Sequence, residues 1–521
     1  MDFIVVKYQQ VDYCGCTITL SDKKSPFSLK SLPEIFVSSK GMTSAVSKAA
    51  KAGRLRKIGS RLYTKNLTEA PEQIVRRNWH ALLKDYFPDA LISDRTALEN
   101  RPAGDSSIFI ISSGTRTVAL PGITFRPRKG HPPLDNDLPF LGDIRLCSAP
   151  RAWLENMRRS RRRGAEVART LSKSELEERL DGLLRQGGEA ALNRLRDDAR
   201  DVSQKLGMAE EFRSLDELIG TFLGTREAKL ETAVGHARKR GLPYDPDRLV
   251  LFQSLFAELR ARAPVTRPAG SMVDSAKTNL AFFESYFSNY IEGTEFLLEE
   301  AMDIVFKGVV PKDRPEDAHD ILATHRIVSN HEQMARTPRD FEGFISLLKE
   351  RHATLMDLRP DKMPGLFKSK DNRAGSTFFV APEMVLGTLE KGFEIYRGIE
   401  PSLHRAIFMM FLVSEVHPFV DGNGRAARIM MNAELVADDE QKIIIPTVYR
   451  NNYISALKAL SQSGKSTPIV QVVDFAQRYA ASIRWEDFDL ARADLQTTNA
   501  FMDANEAEDK GVRLVLPKGI I

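Results

Sequence analysis

The sequence predicts a mainly α protein, in which an all-α bundle interrupted by one β-hairpin follows a helix-turn-helix region and a small α+β module. Three observations carry that expectation. Leucines recur at helical spacing from Glu175 to Gln204, and long amphipathic patterns dominate from Pro243 to about residue 485. Runs rich in β-branched residues are short and few, chiefly Ile108 to Ser112, Thr115 to Leu120 and Ser376 to Val380. At 521 residues, 42% of them hydrophobic and 28% charged, the chain exceeds what one core organises, so two or three domains are expected.

The elements follow in order. An apolar patch at Leu32 to Val37, a polar break at Ser38 to Gly41 and a helical run from Met42 to Ala52, closed by Gly53, give a helix-turn-helix cadence. Arg54 to Thr64 then alternates about a Gly59-Ser60 turn like a hairpin, and helix, turn, helix, hairpin is a winged-helix order. This assigns 1–66 to a winged helix and 67–150 to the small α+β module, whose loop at Arg126 to Pro133 is rich in Pro and Gly. Residues 151–238 read as a charged helical connector, 239–487 as the bundle, and the polar, acidic 488–521 as a loosely held tail.

Charge divides along the same line. Residues 1–170 hold 29 Lys and Arg against 16 Asp and Glu, a balance of +13, which leaves −8 for the rest of a chain whose net charge is +5. The basic part includes the run Arg158 to Arg163. Apolar runs such as Ile407 to Val413 are too short to span a bilayer, and the first residues lack a signal-peptide layout, so neither a membrane partner nor secretion is expected. Cys14, Cys16 and Cys147 are too few for a disulfide framework and poorly spaced for zinc, which fits a cytoplasmic setting.

The chemistry concentrates in His417-Pro-Phe-Val-Asp-Gly-Asn-Gly-Arg-Ala-Ala-Arg428. Upstream, Ser402 to Val416 is apolar on nearly every face and reads as a buried central helix. Pro418, Gly422 and Gly424 force a tight loop before a second helix opening at about Arg425. A glycine-bearing loop at a helix N-terminus is an anion site, because free N–H groups and the helix dipole face outward. Arg425 and Arg428, three apart, add two cationic forks suited to polyphosphate. Asp421 would be repelled by phosphate unless a divalent cation lay between them, and Mg²⁺ fits that place. His417 stands at the loop mouth with an intrinsic pKa near neutrality, suited to take a proton from a hydroxyl. Phe419 reads as a core anchor.

This segment resembles the signature of the Fic (filamentation induced by cAMP) family, His-x-Phe-x-(Asp/Glu)-Gly-Asn-Gly-Arg-x-x-Arg, at every fixed position. The stretch from Pro243 to Trp485 is similar to a whole domain of that family. The resemblance implies transfer of AMP from ATP to a Ser, Thr or Tyr hydroxyl of a target protein, which could be the chain itself. In that reading His417 is the general base, and Asp421 holds Mg²⁺ against the α- and β-phosphates. Asn423, with the backbone around Gly422 and Gly424, cradles the α/β region. Arg425 contacts phosphate oxygens, and Arg428 pairs with the γ-phosphate.

Ser288-Asn-Tyr-Ile-Glu292-Gly293 fits the pattern (Ser/Thr)-x-x-x-Glu-(Gly/Asn) of the family's inhibitory helix, once in the chain and upstream of the motif. The resemblance implies that Glu292 pairs with Arg428, with Ser288 and Gly293 as the other pattern positions, placing the protein in the N-terminal-inhibition class. It also implies a flap, around Leu366 to Val380, that docks an extended target along Arg373, Ser376 and Thr377. Where many relatives carry Gly-x-x-Arg before the flap, this chain has Gly365-Leu-Phe-Lys368.

Residues 32–64 with Ser93 to Leu98 resemble the winged-helix region and following module of AbiEi-type antitoxins. DNA binding would place Thr43, Ser44, Ser47, Lys48 and Lys51 on a major-groove helix, with Lys57 and Arg61 near phosphates. A protein-docking winged helix stays open beside it. Two other functions stay open as well: a transcriptional regulator or antitoxin-like protein whose Fic domain senses nucleotide or modifies itself, and a Fic enzyme transferring another phosphate-linked group. Homo-oligomerisation is also left open by the sequence.

Overall fold

In the computed structural model, which describes residues 29–161, 164, 166–270, 272–375 and 377–517, the first apolar patch is a strand. Ile35 and Phe36 are buried, and β1 (Ile35–Val37) pairs antiparallel with a later strand, so its β-branched and aromatic side chains settle on a sheet instead of forming the first helix of a helix-turn-helix. α1 (Thr43–Lys51) follows, turning Val46 and Ala49 onto Phe36 and Leu55. β2 (Arg56–Gly59) and β3 (Leu62–Thr64) form the expected hairpin, and the sheet order is β1-β3-β2. The corrected order in the described residues is strand, helix, hairpin.

Next come α2 (Pro71–Arg77), α3 (Trp79–Tyr86), β4 (Leu91–Ile92), α4 (Asp94–Glu99), β5 (Ser107–Ile111), β6 (Val118–Leu120), β7 (Ile123–Arg128), β8 (Leu138–Leu141) and β9 (Ile144–Leu146). They make the small α+β module, a mixed sheet of order β6-β7-β5-β4-β9-β8. β5 is buried along its whole length, as a central strand covered on both faces must be. α5 (Ala149–Met157), α6 (Lys173–Leu206) and α7 (Ala209–Phe222) pack within the same unit, which ends at Ala228. α6 opens with a capping box between Ser172 and Glu175 and kinks at Gly188, where φ is +62°. Glu175 also receives both terminal nitrogens of Arg95, at 2.7 and 2.9 Å, so this part of the charged connector is fastened to the module.

The second unit begins at Lys229. Its helices are α8 (Ala233–Lys239), α9 (Pro246–Arg260), α10 (Asp274–Ile291), α11 (Leu298–Lys307), α12 (Pro315–Val328), α13 (His331–Met334) and α14 (Phe341–Leu355). The hairpin β10 (Arg373–Ala374) and β11 (Thr377–Phe378) interrupts them. There follow α15 (Val385–Tyr396), α16 (Ser402–Val416), α17 (Asn423–Val436), α18 (Arg450–Ser463), α19 (Thr467–Ala480), α20 (Phe488–Thr497) and α21 (Ala504–Lys510). α16 has the bounds read from the sequence, and only Arg405 and Ser414 in it escape full burial. Phe408 and Phe411 pack against Phe252 of α9, and α17 runs back beside α16. This central pair anchors the loop between them at both ends.

The expected loose tail is instead part of this unit. Ala491, Leu495, Ala500, Ala507 and Leu514 share a core with Phe283, Phe287 and Trp485, and Tyr290 donates to Asp503 at 2.7 Å. The small apolar residues at helical spacing carry the packing, while the acidic composition belongs to the solvent face. Among the described residues no helix is long and apolar enough to cross a membrane.

Candidate active site

The loop from His417 to Gly422 leaves α16 through a left-handed residue. His417 has φ of +53°, an uncommon conformation for a residue with a β-carbon, and this turns its ring out of the helix. Nδ1 lies 3.2 Å from the Ser414 carbonyl, and a carbonyl can only accept, so Nδ1 carries the proton and Nε2 keeps its lone pair. Burial lowers the imidazole pKa to about 4, with the nearby Lys368 ammonium adding to the shift. The ring is therefore neutral near pH 7, and its Nε2 acceptor has no partner among the described residues.

The loop is braced from below. Asn423 takes the Phe419 N–H at 2.8 Å and returns its amide to the Phe419 carbonyl at 2.9 Å. Its side chain thus closes the loop. Gly422, at φ +74°, caps α17, which starts two residues earlier than the sequence suggested. A β-carbon there would lie 2.4 Å from Met356. The Gly422 N–H donates to Asp421 Oδ1 at 2.6 Å, and the Asp421 carboxylate is partly exposed at the loop edge.

The two arginines are not free forks. Arg425 is buried, pairs with Asp320 at 2.8 Å and reaches Asn289 at 3.4 Å, while its Nε has no hydrogen-bond partner among the described residues. Arg428 Nη2 pairs with Glu292 Oε1 at 2.7 Å and donates to the Ser288 carbonyl at 2.8 Å, and its Nε donates to Ser288 Oγ at 3.0 Å. Glu292 sits just past the end of α10, and Gly293, at φ +94°, turns the chain away. The Glu292 carboxylate lies over the start of α17, where a β-carbon on Gly424 would come within 2.2 Å of it. Ser288, Glu292, Gly424 and Arg428 are thereby brought together. A cavity of about 220 Å³ lined by Glu292, His417, Gly424, Arg428, Phe379 and Tyr453 opens at this place. A larger cleft of about 370 Å³, lined by Gly270, His331 and Lys442, contains none of the motif residues.

The flap is short. Arg373 pairs with Phe378 and Ala374 with Thr377; Arg373 is exposed, and Thr377 accepts a hydrogen bond from Gln462 at 3.0 Å. Ser376 lies outside the described residues. Lys368, at the place where relatives carry Arg, is buried; it donates to Asn372 at 2.6 Å, and its N–H meets the Pro418 carbonyl at 2.8 Å. Asn372 in turn donates to the Phe419 carbonyl at 2.9 Å, so the flap root is tied to the loop.

Two contacts escaped the sequence reading. Phe379, just after β11, stacks on His417 with ring centres 3.7 Å apart and 6° between planes, covering one face of the imidazole. His352 on α14 stacks on Phe419 at 3.6 Å. It donates from Nε2 to the Asp421 carbonyl at 3.0 Å and accepts at Nδ1 from the Gly365 N–H, also at 3.0 Å. A lone histidine on a helix carries no such signal in sequence. Burial holds His325, His352 and His417 near a pKa of about 4. Their folded pKa lies below the unfolded value, so unfolding takes up protons between pH 6.5 and about 4, and stability falls as pH falls through that window. Urea midpoints measured across it should decline, and His352→Gln should flatten the slope by about one proton, ~1.4 kcal/mol per pH unit.

The DNA-contact candidates do not join this site. Thr43, Ser44, Lys48 and Lys51 are exposed on α1 with Ser47 half-buried, and Lys57 and Arg61 are exposed on the hairpin. Thr43 and Arg61 hydrogen-bond the carbonyls of Ser39 and Ser38, at 3.0 and 2.9 Å.

Comparison with known proteins places the motif in a family. Residues 344–435 match the model of the Fic/DOC family. Among curated proteins the chain is similar to the protein adenylyltransferase Fic of Drosophila willistoni, 25% identical over 265 residues, covering 50% of this chain and 52% of that protein. It is also similar to the protein of the same name from Drosophila mojavensis, 24% identical over 239 residues, covering 45% and 47%. The chain thus spans about half the length of the curated relatives it matches. A solved structure of Fic-1 (aa134–508) from C. elegans is similar at 19% identity and a TM-score of 0.34, covering 59% of this chain and 94% of that one. Residues 344–435, which carry most of α14, the flap, α16 and nearly all of α17 around the intact motif, are a Fic/DOC family domain.

Proposed function

We propose that this protein is an autoinhibited protein adenylyltransferase that transfers AMP from ATP to a hydroxyl side chain of a protein. The observation that carries it is the neutral His417, with a free Nε2, beside a glycine-capped helix N-terminus and Arg428 in one cavity. His417 takes the proton of the attacking hydroxyl at Nε2 as its oxygen approaches the α-phosphorus, and pyrophosphate leaves. The N–H groups at the start of α17 bind the phosphate chain, and Arg428 takes the γ-phosphate once Glu292 has left it. Asp421, one partly exposed carboxylate at the loop edge, suits Mg²⁺, which is usually held by one or two carboxylates together with substrate phosphates. When bound, Mg²⁺ would neutralise phosphate charge. Arg425, buried against Asp320, stabilises the loop from behind and adds positive potential. The Glu292–Arg428 pair supports the brake.

The direct test incubates wild type, Glu292→Gly and His417→Ala with α-labelled ATP, Mg²⁺ and cell lysate. Labelled protein is expected with Glu292→Gly, little with wild type and none with His417→Ala. A band only at the size of the chain identifies self-modification, and no band in any lane rejects the transferase. For the first unit, the exposed polar and basic face of α1 supports DNA contact, with duplex affinity falling steeply as salt rises.

A further inference from the structure

The first unit holds a second charged cavity, unconnected with the chemistry above. About 330 Å³ in volume, it is lined by Arg128, Lys129, Arg151, Arg158 and Arg169, with Glu155 as the one carboxylate among the described lining residues. Behind it stands a buried ionic lattice. Asp94, fully buried, accepts Arg128 at 2.7 and 3.1 Å and Arg169 at 2.5 Å. Arg151, fully buried, is held by Asp137 at 2.7 Å, Glu155 at 3.1 Å, and the carbonyls of His131 and Pro132 at 2.6 and 3.0 Å.

Stability alone is a poor reason for this arrangement. Paired charges moved out of water rarely gain over apolar packing of the same volume. Asp94 also adopts φ of +51°, which costs a residue with a β-carbon, and does so at the point where it receives both arginines. What the lattice achieves is orientation. Arg128 is fully engaged, by Asp94 at Nε and Nη2, by Glu155 at 3.4 Å from Nη2 and by the Lys129 carbonyl at 3.3 Å from Nη1, whereas Arg169 is fixed from one side by Asp94 and keeps more than a quarter of its side chain exposed. Among the described residues the Arg169 guanidinium bonds only Asp94, through Nη1, leaving Nε and Nη2 for a ligand. Exposed Lys129 adds a cation at the rim, exposed Arg158 adds a second while giving Nε to Glu211 at 2.7 Å, and Leu206 and Met208, at the α6–α7 junction, supply an apolar wall.

The geometry points to a binding site for a small phosphate ester or diphosphate, its anionic end on Arg169 and Lys129 and its organic part against Leu206 and Met208. Guanidinium forks match phosphate oxygens, and the volume lies at the lower end of small-ligand sites. A concave cavity of this size suits a single phosphate group and its substituent better than the convex backbone of a duplex.

The test is calorimetric titration of the full chain with inorganic pyrophosphate, in EDTA and at fixed ionic strength. Saturable binding is expected, weakened by about tenfold or more in Lys129→Glu/Arg158→Glu. The control Lys312→Glu/Lys465→Glu makes the same change in net charge at exposed positions of the second unit and should leave affinity unaltered. All four positions are exposed, among the described residues Arg158→Glu alone gives up an ion pair, the one with Glu211, and far-UV circular dichroism with thermal unfolding verifies that each variant is folded at the titration temperature. Absence of saturable binding, or equal weakening by the two double variants, overturns the proposal. Repeating the titration with a short DNA duplex present separates the sources of phosphate. Undiminished pyrophosphate binding supports the free small ligand, and competitive loss that Lys129→Glu/Arg158→Glu abolishes assigns the cavity to a nucleic-acid phosphate.

Discussion

Glu292→Gly is expected to raise AMP transfer by about ten- to hundredfold, the value of freeing one charge-assisted contact to the γ-phosphate. The reason is positional. Glu292 holds Arg428 at 2.7 Å, and its carboxylate lies over Gly424, where the phosphate chain must pass. Removing it gives back both the cation and the space. The same change should weaken the protein without nucleotide, because Arg428 is buried and loses its counter-charge. A fully buried pair broken on one side costs ~3–5 kcal/mol, and the one-third exposure of Glu292 brings this to about 1–2 kcal/mol. Thermal unfolding should therefore show a lower Tm for Glu292→Gly in buffer and a larger upward shift with ATP than wild type shows. Equal labelling by the two proteins, or equal shifts with ATP, would reject the brake. Ser288→Ala, which deletes only the 3.0 Å contact to Arg428 Nε, should give a much smaller gain.

How much of this could be read from residues alone varies with the range of the contact. The loop, the buried helix before it and the Glu292–Arg428 pair were legible because their residues are local in sequence or follow a short pattern. α16 has the bounds read from its apolar run, since a helix buried on all sides leaves no polar face to blur its ends. Contacts that depend on tertiary placement were not legible. His352 lies 69 residues from Asp421 and is linked to the loop only through the packing of α14. The inward turn of the Asn423 side chain onto Phe419 likewise depends on the folded loop and not on residue type. Ile35 to Val37 was read within a helical cadence, and pairing with Leu62 to Thr64, far along the chain, made it a strand. In the tail, composition outweighed periodicity: Ala491 and Leu495 are four apart and buried despite acidic neighbours.

His417→Ala, tested in the Glu292→Gly background so that the brake does not mask it, is expected to lower transfer by about 10²- to 10⁴-fold, the usual worth of a positioned general base. Nucleotide binding should change little, because the phosphate contacts come from α17 and Arg428, so the loss falls on kcat and not on KM. The pH profile is the sharper test. A solvated imidazole would give an acid limb near its ordinary value, whereas the buried ring of His417, lowered to about 4, keeps its acceptor down to much lower pH. The rate should then hold through mildly acidic pH, and removing Glu292, whose charge favours the protonated ring, should carry the limb lower still. Phe379 supplies the control. It stacks over the ring at 3.7 Å and contributes to its desolvation, so Phe379→Ala should move the limb upward toward the solvated value while leaving the base in place. A limb near pH 6.5 in the presence of Phe379 would mean that the imidazole works in water, and that the flap does not cover it during transfer.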